Sequence, residues 1–322
     1  MACENSLKNI EGFNKADIFL QSTYNHKEHQ YMNPSPANFG LLPILELNNS
    51  KNIISKASIE EDVNQAWREF IGYELADVWD EKLAEYQLTK FGDCSYLRSF
   101  DIMELGDEKA FAYKAGTSQY AEHLATMDLI NSSPQLLNKY YEVYKRKGLG
   151  AVLRYAMPST MKINVAVVNE WGNFLAVKRS GKVGYKRGIW TVGPNETLES
   201  FTSSSGEVKT ENFSDAAERC LSEELGLEDG DYTPVKHTFL AYDLRTLQLK
   251  IYSNVKVKIS ADELKEKIME SESRWEADAF KWIPLEQEML HHISSNGLHD
   301  SSGRQWSSSA LISLSELLKY YI

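Results

Sequence analysis

The chain has 322 residues, 42% of them hydrophobic, which is enough apolar material for two domains with cores of ordinary size. Its formal net charge of −11 excludes a nucleic-acid duplex as the general partner, and the short Lys145-Arg146-Lys147 and Lys178-Arg179 clusters are too small to offset it. Three cysteines, Cys3, Cys94 and Cys220, are too few and scattered for a disulfide framework or a zinc site, and neither an N-terminal signal core nor a membrane span is expected, so a reducing, cytoplasmic setting is.

In chain order, Ala16 to Tyr24 and Leu41 to Leu47 read as strands on either side of a polar, proline-containing loop. That loop contains His26-Lys27-Glu28-His29, where solvated side chains are a plainer reading than a metal site because no further ligand group is in view. Ser58 to Gln87 reads as one long or two consecutive helices, with Val63, Ala66, Trp67, Phe70, Ile71 and Trp79 as the inner stripe. Leu97 to Glu104 and Lys109 to Lys114 bracket Gly106-Asp107 as a hairpin, and Tyr120 to Tyr144 carries helical periodicity across Pro134. Residues 1–160 are thus expected to form an α+β domain of unassigned role, ending at the turn-forming cluster Pro158-Ser159-Thr160.

Residues 161–322 form the second expected domain. Lys162 to Glu170 alternates as a strand, Trp171-Gly172 turns, and Asn173 to Lys178 returns to make a hairpin. Gly188 to Gly193 reads as a strand ending in a glycine turn, and the serine-rich stretch Ser200 to Lys209 as a flexible loop. Glu211 to Leu227 is a short helix with Ser214 as its cap, Asp215 at the positive end of the dipole and Gly226 as its left-handed stop. Ala217, Leu221 and Leu225 mark its buried stripe, while Arg219, Cys220, Glu223 and Glu224 fall on another side. Two adjacent carboxylates facing one space repel unless a cation compensates them, and an all-oxygen cluster suits a hard metal such as Mg²⁺. Downstream, Lys236 to Asp243 and Thr246 to Ile259 read as strands joined at Leu244-Arg245, followed by a helix from Ala261 to about Glu270. Trp275 to Pro284 reads as a last strand, and Trp306 to Ile322, with Leu311, Leu314, Leu317 and Leu318, as a closing amphipathic helix.

The Glu211–Leu227 segment resembles the motif of the Nudix proteins, G-x5-E-x7-R-E-U-x-E-E-x-G-U, in which U is a bulky aliphatic residue. Glu211, Arg219, Leu221, Glu223, Glu224, Gly226 and Leu227 stand in register. Cys220 replaces the glutamate after the arginine, which in the family is usually a metal ligand. Ser205 takes the place of the opening glycine, with Gly206 one residue out of register, and Pro194-Asn195-Glu196 replaces the usual double glycine. The resemblance covers the C-terminal half. It implies an α+β chain in which a Nudix-like, mixed-sheet α/β/α sandwich follows the N-terminal α+β domain.

The activity it implies is metal-dependent hydrolysis of a nucleoside diphosphate linked to another moiety, with Mg²⁺ or Mn²⁺ held by Glu223 and Glu224 and completed by Glu211 or Glu276. Arg219, at the position that orients a glutamate in the family, joins Glu211 in the binding set; Glu276 is the candidate base and Asp278 its reserve. Glu196, Glu199 and Glu207 are candidates to replace the carboxylate absent at Cys220, with solvated loop acids as the competing reading. Lys178, Arg179, Lys182, Lys186 and Arg187 suit the phosphates of a small nucleotide, with a solvated basic loop as the competing reading. The resemblance also admits a Nudix fold that binds a nucleotide or a protein partner without hydrolysis. A third reading, an isopentenyl diphosphate isomerase relative, lacks a counterpart of that enzyme's catalytic cysteine segment. The residues leave the oligomeric state open.

Overall fold

The computed structural model describes residues 41–47, 53–56, 63–88, 92–105, 108–153, 160–183, 187–202, 208–244 and 246–321. The expected strand Ala16 to Tyr24, the His26 to His29 cluster, Lys186 and Glu207 lie outside them. The N-terminal half contributes β1 (Leu41–Glu46), β2 (Ile53–Lys56), α1 (Val63–Ile71), α2 (Tyr73–Gln87), β3 (Asp93–Leu105), β4 (Glu108–Gln119), α3 (Tyr120–Ser132), α4 (Pro134–Lys147) and α5 (Leu149–Leu153). The C-terminal half opens with β5 (Met161–Val168), β6 (Asn173–Arg179), β7 (Trp190–Val192), β8 (Asn195–Thr197), β9 (Ser200–Thr202) and β10 (Val208–Thr210). It continues through α6 (Phe213–Leu225), β11 (Lys236–Asp243), β12 (Gln248–Lys256), α7 (Ala261–Glu270), β13 (Ala277–Pro284), α8 (Gln287–Ser295) and α9 (Ser308–Tyr321).

Period-two alternation decides the architecture of the C-terminal half. On one face of the sheet, Val165 and Val167 of β5 and Leu175 and Val177 of β6 pack in the same core as Phe213, Ala217 and Leu221 of α6. On the other, Ala166, Val168, Phe174 and Ala176 pack with Trp306 and with Ala310, Leu311 and Leu314 of α9. Strands buried on both faces lose the polar alternation of a half-exposed sheet, and their burial contributes about 1.5–3 kcal/mol per large aliphatic side chain. The result is an α+β fold whose C-terminal half is a mixed-sheet α/β/α sandwich, in the order β1-β11-β12-β5-β6-β13 with β7 beside β6 and β8 beside β5. The β12–β5 pair is parallel.

The two halves of the sequence share structure. β1 is the edge strand of the large sheet through its pairing with β11. A second sheet, β2-β4-β3, joins the α6-side core through Phe111 and Tyr113, and the Tyr113 and Phe213 rings meet edge to face at 5.4 Å. The start of β3 is tied to the two residues between β8 and β9: Ser95 N donates to Leu198 O at 2.8 Å and Ser95 Oγ to Glu199 O at 2.6 Å.

Several local expectations are corrected. β5 and β6 share only the Val168–Phe174 pair, because β5 spends its length on β12 and β8. The ends of the serine-rich stretch are strands, β9 paired with β10, rather than loop. β12 starts at Gln248, not Thr246, because Leu247 is a buried turn residue with φ 48°. The cap of α6 is Asn212, whose Oδ1 accepts from Ser214 N and Asp215 N at 2.9 Å each; Ser214 Oγ instead lies 3.2 Å from His237 Nε2. α5 and α8 were not expected. Among the described residues no helix is long and apolar enough to cross a membrane.

Two glycines are required where the backbone closes on the site. Gly226 ends α6 at φ 67°, and a Cβ there would stand 2.6 Å from Lys267 O on α7. Gly193 turns the chain from β7 into β8 at φ 68°, and its Cβ would stand 1.9 Å from Val165 O. We therefore expect Gly193→Ala to destabilise the fold by roughly 3 kcal/mol or more, since left-handed strain and a backbone clash act together. Denaturant unfolding checks this, and a variant as stable as wild type would show that β8 relaxes freely.

Candidate functional site

The motif's first glutamate and its arginine form one unit. Arg219 Nε donates to Glu211 Oε1 and Arg219 Nη2 to Glu211 Oε2, each at 2.9 Å, a bidentate pair in which Glu211 is 9% exposed. Glu199 N adds a third bond to Glu211 Oε2 at 3.0 Å, and Arg219 also donates to Thr197 O at 3.0 Å and to Glu223 Oε2 at 3.4 Å. Burial works against the Arg219 charge, but its hydrogen bonds to Glu211 and the charges of Glu196, Glu211 and Glu199 together more than offset that and hold its pKa above the ordinary value. The pair thus staples α6 to β8 and to the residues that follow it.

One turn further on, Cys220 and Glu224 face inward. Cys220 is fully buried, with its Sγ 3.6 Å from Glu224 Oε1, and burial followed by the Glu224 charge pushes its thiol well above the usual range. A protonated thiol is a poor ligand for a hard cation. Glu224, 6% exposed, accepts from Asn195 N at 3.0 Å, so the turn after Gly193 aims a backbone donor at it. Burial, then the charges of Glu196 and Glu276, push the Glu224 carboxyl up to about 8. Glu276 is raised by burial and then by Glu196, and Glu223 by burial against the opposing pull of Arg219.

Beside this cluster lies a cavity of about 350 Å³ lined by Glu196, Glu199 and Glu276 together with Lys162, Arg179 and Lys250. Lys162 and Lys250 are register partners across the parallel β5–β12 pair. Lys250 is committed to Asp243 at 2.7 Å and Ser309 Oγ at 3.1 Å, whereas burial and then the Arg179 charge lower the Lys162 pKa to about 8. The N-terminal half also lines the cavity, through Cys94 of β3 and through Tyr120, His123, Leu124 and Met127 of α3.

The structure therefore gathers Glu223, Glu224 and Glu276 with Glu196, and it binds Glu211 to Arg219. Asp278 is exposed and does not line the cavity. Of the basic residues singled out in the sequence, Arg179 lines it; Lys178, Lys182 and Arg187 do not, and Arg187 Nε donates to Val183 O at 2.8 Å. Lys162, Lys250, Asn195 and the α3 wall were missed. A lysine inside each of two apolar strand runs was the available signal for Lys162 and Lys250; nothing local marked α3.

Placing a carboxylate at position 220 sets it in a closed space against Glu224. We expect Cys220→Glu to cost about 3 kcal/mol or more in metal-free buffer, because two buried acids without a counter-ion cannot both ionise cheaply. Excess Mg²⁺ should restore part of that melting-temperature loss; no restoration would count against α6 as a metal platform.

A comparison with protein families matches residues 159–299 to the NUDIX domain. Similar solved structures include a protein of Deinococcus radiodurans, 12% identical over 51% of this chain and 83% of that one, with a TM-score of 0.35. A MutT protein from Methanosarcina mazei Go1 is 16% identical over 50% of this chain and 93% of that one, with a TM-score of 0.29. A C. elegans Ap4A hydrolase, in a binary complex, is 17% identical over 50% of this chain and 99% of that one, with a TM-score of 0.27. No curated protein matches the chain.

Proposed function

Since the C-terminal half of this chain carries a Nudix domain, we propose that the protein is a metal-dependent hydrolase of a nucleoside diphosphate linked to another moiety. One observation carries the reading: a single cavity brings the carboxylates Glu196, Glu199 and Glu276 together with the cations Lys162 and Arg179, and Asn195 on its lining donates to the buried Glu224 beside it. The cations suit the phosphates. The carboxylates suit a hard divalent ion, Mg²⁺ or Mn²⁺, since they are oxygen donors and the charge of Glu196 opposes ionisation of both Glu224 and Glu276. Among the described residues no preassembled group of three or more ligating side chains occurs, so these acids would hold an ion only after drawing together.

In this reading Glu223, Glu224 and Glu196 hold the metal. Glu211 is a positioning residue rather than a ligand, because both its oxygens serve Arg219. The bound ion supplies a Lewis acid for the phosphoryl oxygens. Glu276, raised by burial at the cavity wall, accepts the proton of the attacking water, and Lys162 and Arg179 neutralise charge on the departing phosphate. The division at residue 160 and a cytoplasmic home belong to the same proposal, with Cys94 and Cys220 as buried free thiols.

A second reading, binding without hydrolysis, is favoured by the buried Cys220, which removes one carboxylate from the set. A panel of nucleoside diphosphate compounds with Mg²⁺ or Mn²⁺ separates the two. Release of phosphate or nucleoside monophosphate marks the hydrolase; a thermal shift without release marks the binder.

A further inference from the structure

Charge is distributed unequally around the cavity. The sheet side presents Lys162, Arg179, Glu196 and Glu276, while α3 presents Tyr120, His123, Leu124 and Met127, which recur at i, i+3, i+4 and i+7 and so form one stripe of the helix. The acids of α3 do not line the cavity: Glu122 accepts from Gln119 N at 3.1 Å, and Asp128 accepts from Tyr86 Oη at 2.6 Å. The acid that the N-terminal half does bring to the lining is Asp93, which disfavours further anionic groups on that side. The Tyr120 and His123 rings pack at 5.5 Å and Leu124 and Met127 add apolar surface, so the wall is uncharged, ring-bearing and adaptable.

The wall is also rigidly placed. α3 follows β4 without an intervening residue, and Trp79 Nε1 donates to Thr126 Oγ1 at 3.0 Å on its buried side. The cavity's 350 Å³ lies within the range of small-molecule sites.

We infer that α3, which lies outside the Nudix domain, is the specificity wall of the site and receives the nucleobase of the substrate, while the diphosphate lies against Lys162 and Arg179. The inference rests on the hydrolase reading for the substrate class, and it goes further by naming the residues that select the base. The half of the chain without a recognisable motif thereby acquires a function: it sizes the base pocket through Leu124 and Met127.

The test is calorimetric titration of the full chain, with Mg²⁺, using ADP, UDP and inorganic pyrophosphate as probes. Leu124→Phe narrows the wall and Met127→Ala opens it, so the ADP-to-UDP affinity ratio should move in opposite directions in the two variants and differ between them by about tenfold or more. Pyrophosphate, which has no base, should bind all three proteins alike. Melting temperatures verify folding, and if Leu124→Phe fails to fold, Met127→Ala alone gives the sign of the ratio. An unmoved ratio overturns the inference, as does wild-type protein that binds neither diphosphate more tightly than pyrophosphate. Base selectivity that follows these variants without turnover of any linked diphosphate sinks the hydrolase reading alone; turnover with an unmoved ratio sinks this inference alone.

Discussion

Glu224→Gln should lower metal-dependent turnover by about a hundredfold or more while the protein folds as well as wild type. The glutamine keeps an oxygen to accept from Asn195 N and occupies the same buried space, but it carries no charge for a cation. A pH signature accompanies the loss. The carboxyl is raised in the folded protein from 4.5 to about 8, so between those values the folded state holds a proton that the unfolded chain has released. Its contribution to stability is therefore complete below pH 4.5 and is lost as pH rises through about 8. The glutamine variant does not lose it, and in metal-free buffer at pH 8 should be more stable than wild type by on the order of 3 kcal/mol. Glu223 and Glu276, also raised, leave a smaller slope of the same sign in the variant. Activity assays with Mg²⁺ and melting curves from pH 5 to 8 read both effects. Undiminished turnover would falsify the metal role of Glu224.

Arg219→Met should be the most damaging change to the motif's scaffold, costing about 3 kcal/mol or more. Removing the guanidinium leaves the 9%-exposed Glu211 with its Glu199 N contact but no cation, and it takes the donor from Thr197 O. β8 then keeps its Asn195–Glu224 bond to α6 but loses the one at Thr197. A second substitution discriminates this from a packing defect: Glu211→Gln in the Arg219→Met background removes the uncompensated charge and should recover a large part of the loss. A double variant no better than the single one would mean that the Glu211 charge is not what the arginine serves.

The motif was legible because it is local. Arg219, Glu223 and Glu224 sit on one short helix, and helical spacing alone puts the arginine one turn from Glu223. Glu276, singled out through the strand that follows it, lines the cavity. What helical spacing misjudged was depth: Cys220 and Glu224 share a side with Arg219 and Glu223, yet they are buried against Asn195 while the others reach outward. Lys162 and Lys250 were invisible as a pair because their meeting depends on the parallel register of β5 and β12, strands separated in the chain by the whole motif. The loop reading of Ser200 to Lys209 failed because composition does not report pairing partners, and β9 finds its partner in β10.

The sequence by itself determined the sandwich and the acid-bearing helix, since period-two strands, a left-handed glycine at position 226 and an arginine–glutamate spacing act through neighbours a few residues away. The tertiary structure decided who surrounds the acids. It carried β1 to the edge of the large sheet, spent Glu211 on Arg219, and set the Tyr120, Leu124 and Met127 stripe into the same cavity as Lys162 and Arg179. The physical reason is that pKa, ligand access and pocket shape depend on burial and charge contributed by residues far apart in the chain, and only the packing of the two halves brings those together.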